Sequence, residues 1–123
     1  MNRDITVLIV DDQDTNFDYF RVVLTRSYST IIRAFNGKEA IEAVKLHPEI
    51  GVVLMDCNMP EMNGLEATRE IRKFNQEVPI VMITAYSYEV TRQQAVVAGC
   101  NDYMVKPVSP KDLMSVVEKY LSS

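Results

Sequence analysis

The stretch Ile5–Val10, ITVLIV, runs straight into Asp11 and Asp12, and its reading decides the fold. It is β-branched and apolar almost throughout. A strand of that kind is buried on both faces, and such strands belong to parallel sheets covered by helices. Gly51–Met55 (GVVLM) and Pro79–Thr84 (PIVMIT) have the same character. Thr30–Ala34 (TIIRA) and Asp102–Val105 (DYMV) are more mixed, as edge strands would be.

Helical patterns fill the intervals. Phe17, Phe20, Val23 and Leu24 form an apolar stripe from about Asp14 to Ser27. Ala40, Ile41 and Val44 form a second after Asn36, which can cap, and Glu39, which can reach back. Leu65, Thr68 and Ile71 follow a second capping pair, Asn63 and Glu66. Val90, Val97 and Ala98 mark a fourth helix, closed by Gly99 as a left-handed cap. Ser109 and Pro110 open a fifth, with Leu113, Val116, Val117, Tyr120 and Leu121 spaced for one buried face. The order is strand–helix, five times. That alternation predicts an α/β sandwich with right-handed crossovers and helices on both faces of a parallel sheet. In such sheets ligands bind just past the carboxyl ends of the strands, which is where chemistry is to be sought.

Composition narrows the function. The 123 residues suit one domain, 1–123, and neither a repeat nor a linker interrupts them. A hydrophobic fraction of 47% and a charged fraction of 24% are ordinary globular values. Thirteen basic against 17 acidic residues leave a net charge of −4 and no basic stripe, which argues against direct nucleic-acid binding. No apolar run approaches the roughly 20 residues that cross a bilayer. No secretory signal is visible, so a cytoplasmic protein without membrane contact is expected. Cys57 and Cys100 are far apart, in no metal-binding spacing, and read as reduced, partly buried thiols. His47, the lone histidine, precedes Pro48 at a helix end and reads as solvent-facing.

The residues at the strand ends are polar and reactive. The first strand runs into Asp11 and Asp12, the third into Asp56, the fourth ends in Thr84 before Ala85, and the fifth runs into Lys106 and Pro107. Each alone has an ordinary explanation: paired acids cap helices, a loop aspartate is solvated, a strand-end threonine is structural, and a lysine before proline is a surface charge. Together they would bring three carboxylates, a hydroxyl and an ammonium to one edge of the sheet. Crowded carboxylates repel, and a hard divalent cation relieves them. Mg2+ held in this way suits phosphoryl chemistry. Lys106 would add a point charge, and Thr84 with the Ala85 N–H would add donors for phosphoryl oxygens. One carboxylate could then act as nucleophile and form an acyl phosphate.

These residues resemble the receiver domains of two-component response regulators. The resemblance spans essentially the whole chain. It rests on Asp11 and Asp12, on Val53–Gly64 (VLMDCNMPEMNG), on Thr84 and Ala85, and on Lys106 and Pro107. The segment Met55–Arg72 is especially similar to receivers of hybrid sensor histidine kinases, which favours a receiver excised from a longer chain. The resemblance implies a flavodoxin-like (βα)5 fold with strand order 2-1-3-4-5. It implies Asp56 as the phosphorylated residue. Asp12 would bind Mg2+ directly, Asp11 mainly through water, and Asn58 through its backbone carbonyl. Thr84 would hydrogen-bond the phosphoryl group and Lys106 would pair with it. Tyr103 would be a switch aromatic that turns inward on activation, and the Lys106–Pro107 bond would be cis. Asn58 and Tyr86 would tune access of water to the acyl phosphate.

The implied partners are a histidine kinase or histidine phosphotransfer protein upstream and an output domain or protein downstream. The surface of the fourth helix, fifth strand and fifth helix would carry the signal, and the fourth and fifth helices are the candidate for dimerisation. Such a domain is not a conventional enzyme, although it would catalyse its own aspartyl phosphorylation and dephosphorylation. The rival enzyme reading is a haloacid-dehalogenase-type phosphatase. Asn16 stands where that family needs Thr or Val, and no cap domain is present. A flavin or nucleotide site would be repelled by Asp11 and Asp12, and no glycine-rich phosphate motif occurs. A calcium loop at 56–66 fails at Pro60 and Glu61. A receiver-like module that has lost phosphorylation would lack one of the key acids or the lysine, and all are present.

Overall fold

The structure, a computed structural model, describes residues 3–85 and 92–121. The chain alternates β1 (Arg3–Val10), α1 (Asp14–Leu24), β2 (Tyr28–Ala34), α2 (Gly37–Leu46), β3 (Ile50–Asp56), α3 (Gly64–Arg72), β4 (Ile80–Thr84), α4 (Arg92–Ala98), β5 (Asp102–Val105) and α5 (Pro110–Leu121). The five strands form one parallel sheet in the order β2-β1-β3-β4-β5. This is the flavodoxin-like order expected from the sequence.

The central strands are apolar on both faces because both faces are covered. Leu8, Val10, Val53, Met55, Ile80 and Met82 point to one side, against Ala40 and Val44 of α2, Ala67 and Ile71 of α3, and Ala95 of α4. Their neighbours Val7, Ile9, Val52, Leu54, Val81 and Ile83 point to the other, against Phe20 and Leu24 of α1 and Leu113 and Val117 of α5. Successive strand residues alternate between the two layers, so each central strand contributes to both cores. Burying one such side chain stabilises the fold by about 1.5–3 kcal/mol. A polar substitution in β1 or β3 would therefore be felt on whichever layer it faced. The edge strands β2 and β5 carry the mixed residues, as read from their composition.

Local signals place the helix starts. The Asn36 side chain accepts from the Glu39 N–H at 2.9 Å, and Glu39 reaches back to accept from the Phe35 N–H at 2.8 Å. Asn63 and Glu66 form a reciprocal capping box at the start of α3. Ser109 Oγ accepts from the Asp112 N–H, with Pro110 as the first residue of α5. Gly99 closes α4 at φ +115°, where a Cβ would be strained.

Two expectations need correction. The first helix ends at Leu24 rather than Ser27: the Thr25 N–H makes the last helical bond, to the Arg21 carbonyl, the Ser27 N–H then closes a tighter turn on the Leu24 carbonyl, and β2 begins at Tyr28. On α4, Val97 does not belong to the buried stripe: it is 78% exposed and Val96 60%, whereas Ala95 and Ala98 are buried. The small alanines let α4 approach α3 and β5, and the two valines are left facing outward. Val90 and Tyr86 lie outside the described residues.

Candidate functional site

The carboxyl ends of β1, β3 and β4 meet at one edge of the sheet. Asp56 is the last residue of β3, and Asp11 follows the last residue of β1. Parallel pairing sets Val10 beside Met55, which brings both acids to the same level. Carboxylate oxygens of Asp11, Asp12 and Asp56 lie within 4.8 Å of one another. Asp11 and Asp56 are buried, at 1% and 6% exposure. Lys106, just past β5, reaches into the cluster: its Nζ lies 3.3 Å from Asp56 Oδ1 and 3.7 Å from Asp11 Oδ2.

Burial is the largest influence on Asp56. Together with the neighbouring Asp11 it pushes the carboxyl from its usual 3.8 up to about 6, against the opposing pull of Lys106. One ammonium therefore does not neutralise the three acids. Asp11 shows the same imbalance. Its N–H donates to the Ala34 carbonyl at 3.0 Å, and its Oδ1 accepts from the Gln13 N–H at 2.9 Å. Its buried Oδ2 has no hydrogen bond among the described residues. A buried carboxylate oxygen without a hydrogen bond, flanked by two further carboxylates, suits a hard cation with oxygen ligands. The residues present thus fit a divalent ion such as Mg2+.

The backbone makes room for this cluster. The chain leaving Asp56 folds back on itself, with the Cys57 N–H donating to Ile83 and the Gly64 N–H to the Cys57 carbonyl. A Cβ on Gly64 would stand 2.5 Å from the Asp56 carbonyl oxygen, so the return of the loop requires glycine. Glu61, within the loop, adopts φ 70°.

The remaining sequence-derived residues occupy the following places. Asn58 is exposed, two residues past Asp56. Thr84 ends β4 and is fully buried, and the Lys106 N–H donates to its carbonyl at 2.8 Å. The Lys106–Pro107 peptide bond is cis. Tyr103 pairs in register with Met82, on the α4 side of the sheet, and is 8% exposed. The Arg92 guanidinium lies 5.3 Å from the centre of its ring. Cys57 and Cys100 are buried free thiols, and burial pushes Cys100 up to about 11, so Cys100 is not an activated nucleophile. Sequence reasoning missed Arg33, whose guanidinium donates to the Asp11 carbonyl. An arginine in an edge strand carries no signal of such a contact.

A parallel sheet of this order, with clustered acids and a lysine at its carboxyl edge, defines a phosphoacceptor class of α/β domain. Residues 7–118 match the response regulator receiver domain family, and the chain belongs to that family. It is 36% identical over 120 residues to the chemotaxis protein CheY1 of Helicobacter pylori, covering 95% of this chain and 97% of that protein. It is 35% identical over 115 residues to the transcriptional regulatory protein SrrA of Staphylococcus aureus, covering 94% of this chain but 47% of that protein. Among solved structures it is similar to the receiver domain of a Pseudomonas aeruginosa sensor histidine kinase, solved with a magnesium ion in its active site cleft. The TM-score is 0.88 at 28% identity, covering 98% of this chain and 100% of that one. It is also similar to a chain of the CheX–CheY–BeF3–Mg complex of Borrelia burgdorferi, with a TM-score of 0.90 at 27% identity, covering 97% of this chain and 90% of that one. The chain is thus a phosphoacceptor receiver of two-component signalling, and the phosphatase alternative finds no support. Among the described residues, no helix is long and apolar enough to cross a membrane.

Proposed function

We propose that residues 1–123 act as one receiver domain in which Asp56 takes the phosphoryl group. The convergence of Asp56 with Asp11, Asp12 and Lys106 carries this reading. The donor is a phosphohistidine on a histidine kinase or phosphotransfer protein. An Asp56 carboxylate oxygen attacks phosphorus in line. The P–N bond breaks, the electron pair leaves with the imidazole, which takes up a proton, and an acyl phosphate forms. Asp11, Asp12, Asp56 and the Asn58 backbone carbonyl hold Mg2+, which supplies charge neutralisation for the transferring oxygens. Lys106 turns from the Asp56 carboxylate to a phosphoryl oxygen, and the Thr84 hydroxyl donates to another. Water later attacks phosphorus, releasing inorganic phosphate and restoring the carboxylate. The domain thereby promotes its own phosphorylation and dephosphorylation without being a conventional enzyme.

The signal leaves through α4, β5 and α5. Thr84 and Tyr103 share the face that carries Met82, so a pull on Thr84 alters the packing around Tyr103. The phosphorylated form shifts a two-state population there. Val96, Val97 and Val105 are exposed on α4 and β5 and offer apolar area to an output partner or to a second copy of the domain. The setting is cytoplasmic, where phosphohistidine donors and reduced thiols coexist, and a place within a hybrid histidine kinase fits the motif. Incubation with Mg2+ and a small acyl phosphate tests the assignment. One phosphate is expected by mass spectrometry, mapping to Asp56; labelling at another residue would refute it.

A further inference from the structure

Arg33 is the one long cation that contacts the main chain of the acidic turn among the described residues. Its Nε and Nη2 donate to the Asp11 carbonyl at 3.3 and 3.2 Å, and its Nη1 lies 2.8 Å from Asp14 Oδ1. The guanidinium is held between two rings, 4.5 Å from the centre of Phe17 and 3.9 Å from that of Phe35. Its side chain is 16% exposed, so the arrangement is largely shielded from water. The result is a clamp joining β2, the start of α1 and the turn that leads from β1 into α1.

The clamp completes the partners of Asp11. The N–H is bound by Ala34, the carbonyl by Arg33 and Oδ1 by Gln13, which leaves Oδ2 alone without a hydrogen bond. Both peptide planes flanking Asp11 are therefore fixed, and the second of them carries Asp12. We propose that Arg33 is a positioning residue for the divalent-cation site, holding the Asp11–Asp12 turn so that both carboxylates face Asp56. This rests on the Mg2+ reading above. A planar guanidinium serves here because it can stack between rings while donating from its edge to a carbonyl and a carboxylate. A lysine cannot do all three.

The sign of the effect separates positioning from charge. Removing a cation from beside three acids would, by Coulomb attraction alone, tighten Mg2+ binding. Loss of a group that orients cation ligands weakens it, typically by tenfold or more. The test is titration of MgCl2 into the wild type, Arg33→Met and Arg33→Lys, read by calorimetry and by the rise of Tm with Mg2+. Methionine keeps apolar packing between the rings and removes the donors. The expected result is a dissociation constant raised about tenfold in Arg33→Met, with Arg33→Lys also weaker than wild type. In phosphorylation by a small acyl phosphate, the half-saturating Mg2+ should rise, while the rate at saturating Mg2+ recovers close to wild type. An unchanged or lower dissociation constant overturns the proposal, as does a rate that Mg2+ cannot restore. Should Arg33→Met not fold, a wild-type Mg2+ affinity in Arg33→Lys overturns it by itself. A wild type that binds Mg2+ beside unaffected variants sinks the role of Arg33 alone; a wild type that binds none sinks the cation reading and this role together.

Discussion

Lys106 Nζ lies 3.3 Å from Asp56 Oδ1, an ion pair between residues 50 positions apart that bridges the ends of β5 and β3. The pair is incomplete as compensation, because Asp11 Oδ2 is 3.7 Å from the same ammonium. Two buried acids compete for one cation. That excess of negative charge makes the site receptive to Mg2+ and leaves the Asp56 carboxyl reluctant to ionise in its absence.

Replacing Asp56 should abolish acyl phosphate formation. Asp56→Asn keeps the shape and an acceptor for Lys106 but removes the nucleophile. Mass spectrometry after incubation with a phosphodonor and Mg2+ should show no added phosphate, with the far-UV circular dichroism of wild type.

The raised proton affinity of Asp56 predicts a particular pH dependence in metal-free protein. Between its usual 3.8 and about 6, the folded chain holds a proton on Asp56 that the unfolded chain has released. Stability from this group is thus full below pH 4, falls as pH rises to about 6, and is flat beyond. The change is about 3 kcal/mol. Asp102 works in the opposite sense: burial raises it, but the Tyr103 N–H, the Tyr120 hydroxyl and Lys119 outweigh burial and hold it below its ordinary value. Urea unfolding of wild type and Asp56→Asn across pH 4–7 isolates the Asp56 contribution as the difference. A difference that rises with pH would contradict the structure.

Removing one of the competing acids should stabilise the metal-free fold. In Asp11→Asn the amide oxygen can still accept from the Gln13 N–H, while a buried negative charge beside Asp56 is lost. A gain of about 1 kcal/mol is expected without metal, together with a smaller rise of Tm on adding MgCl2. Clear destabilisation would mean that Asp11 is structurally paired.

Glycine at position 64 is a steric requirement of the site. In Gly64→Ala the new Cβ would press on the Asp56 carbonyl and on Met82 Sδ, at 2.5 and 3.0 Å. Overpacking against backbone costs about 1–3 kcal/mol, and the displaced strand end should slow phosphorylation even where the variant folds. Chemical denaturation and the phosphorylation rate check the two effects separately.

Much of the fold was legible because its signals are local and redundant. Three apolar runs announced a two-sided parallel sheet, and Asn36, Asn63 and Ser109 marked helix starts where their side chains do accept from the backbone. Element ends were less legible. Past Thr25, α1 gives way to a tighter turn in which the Ser27 N–H bonds to the Leu24 carbonyl, a choice that hydrophobic spacing does not encode. Val97 looked like a core residue on α4, yet which face of a short helix is buried depends on how closely its alanines let it approach its neighbours.

The order of residue types along the chain was sufficient to specify strand–helix alternation and to put aspartates, a threonine and a lysine at strand ends, since periodicity and capping act over a few residues. It could not specify that Val10 pairs beside Met55, that Lys106 faces Asp56 and Asp11 together, or that Arg33 closes over the Asp11 carbonyl between two phenylalanine rings. Those relations arise only when strands distant in sequence pair side by side. Sheet register and burial then set the distances, and through them the charge balance on which the chemistry depends.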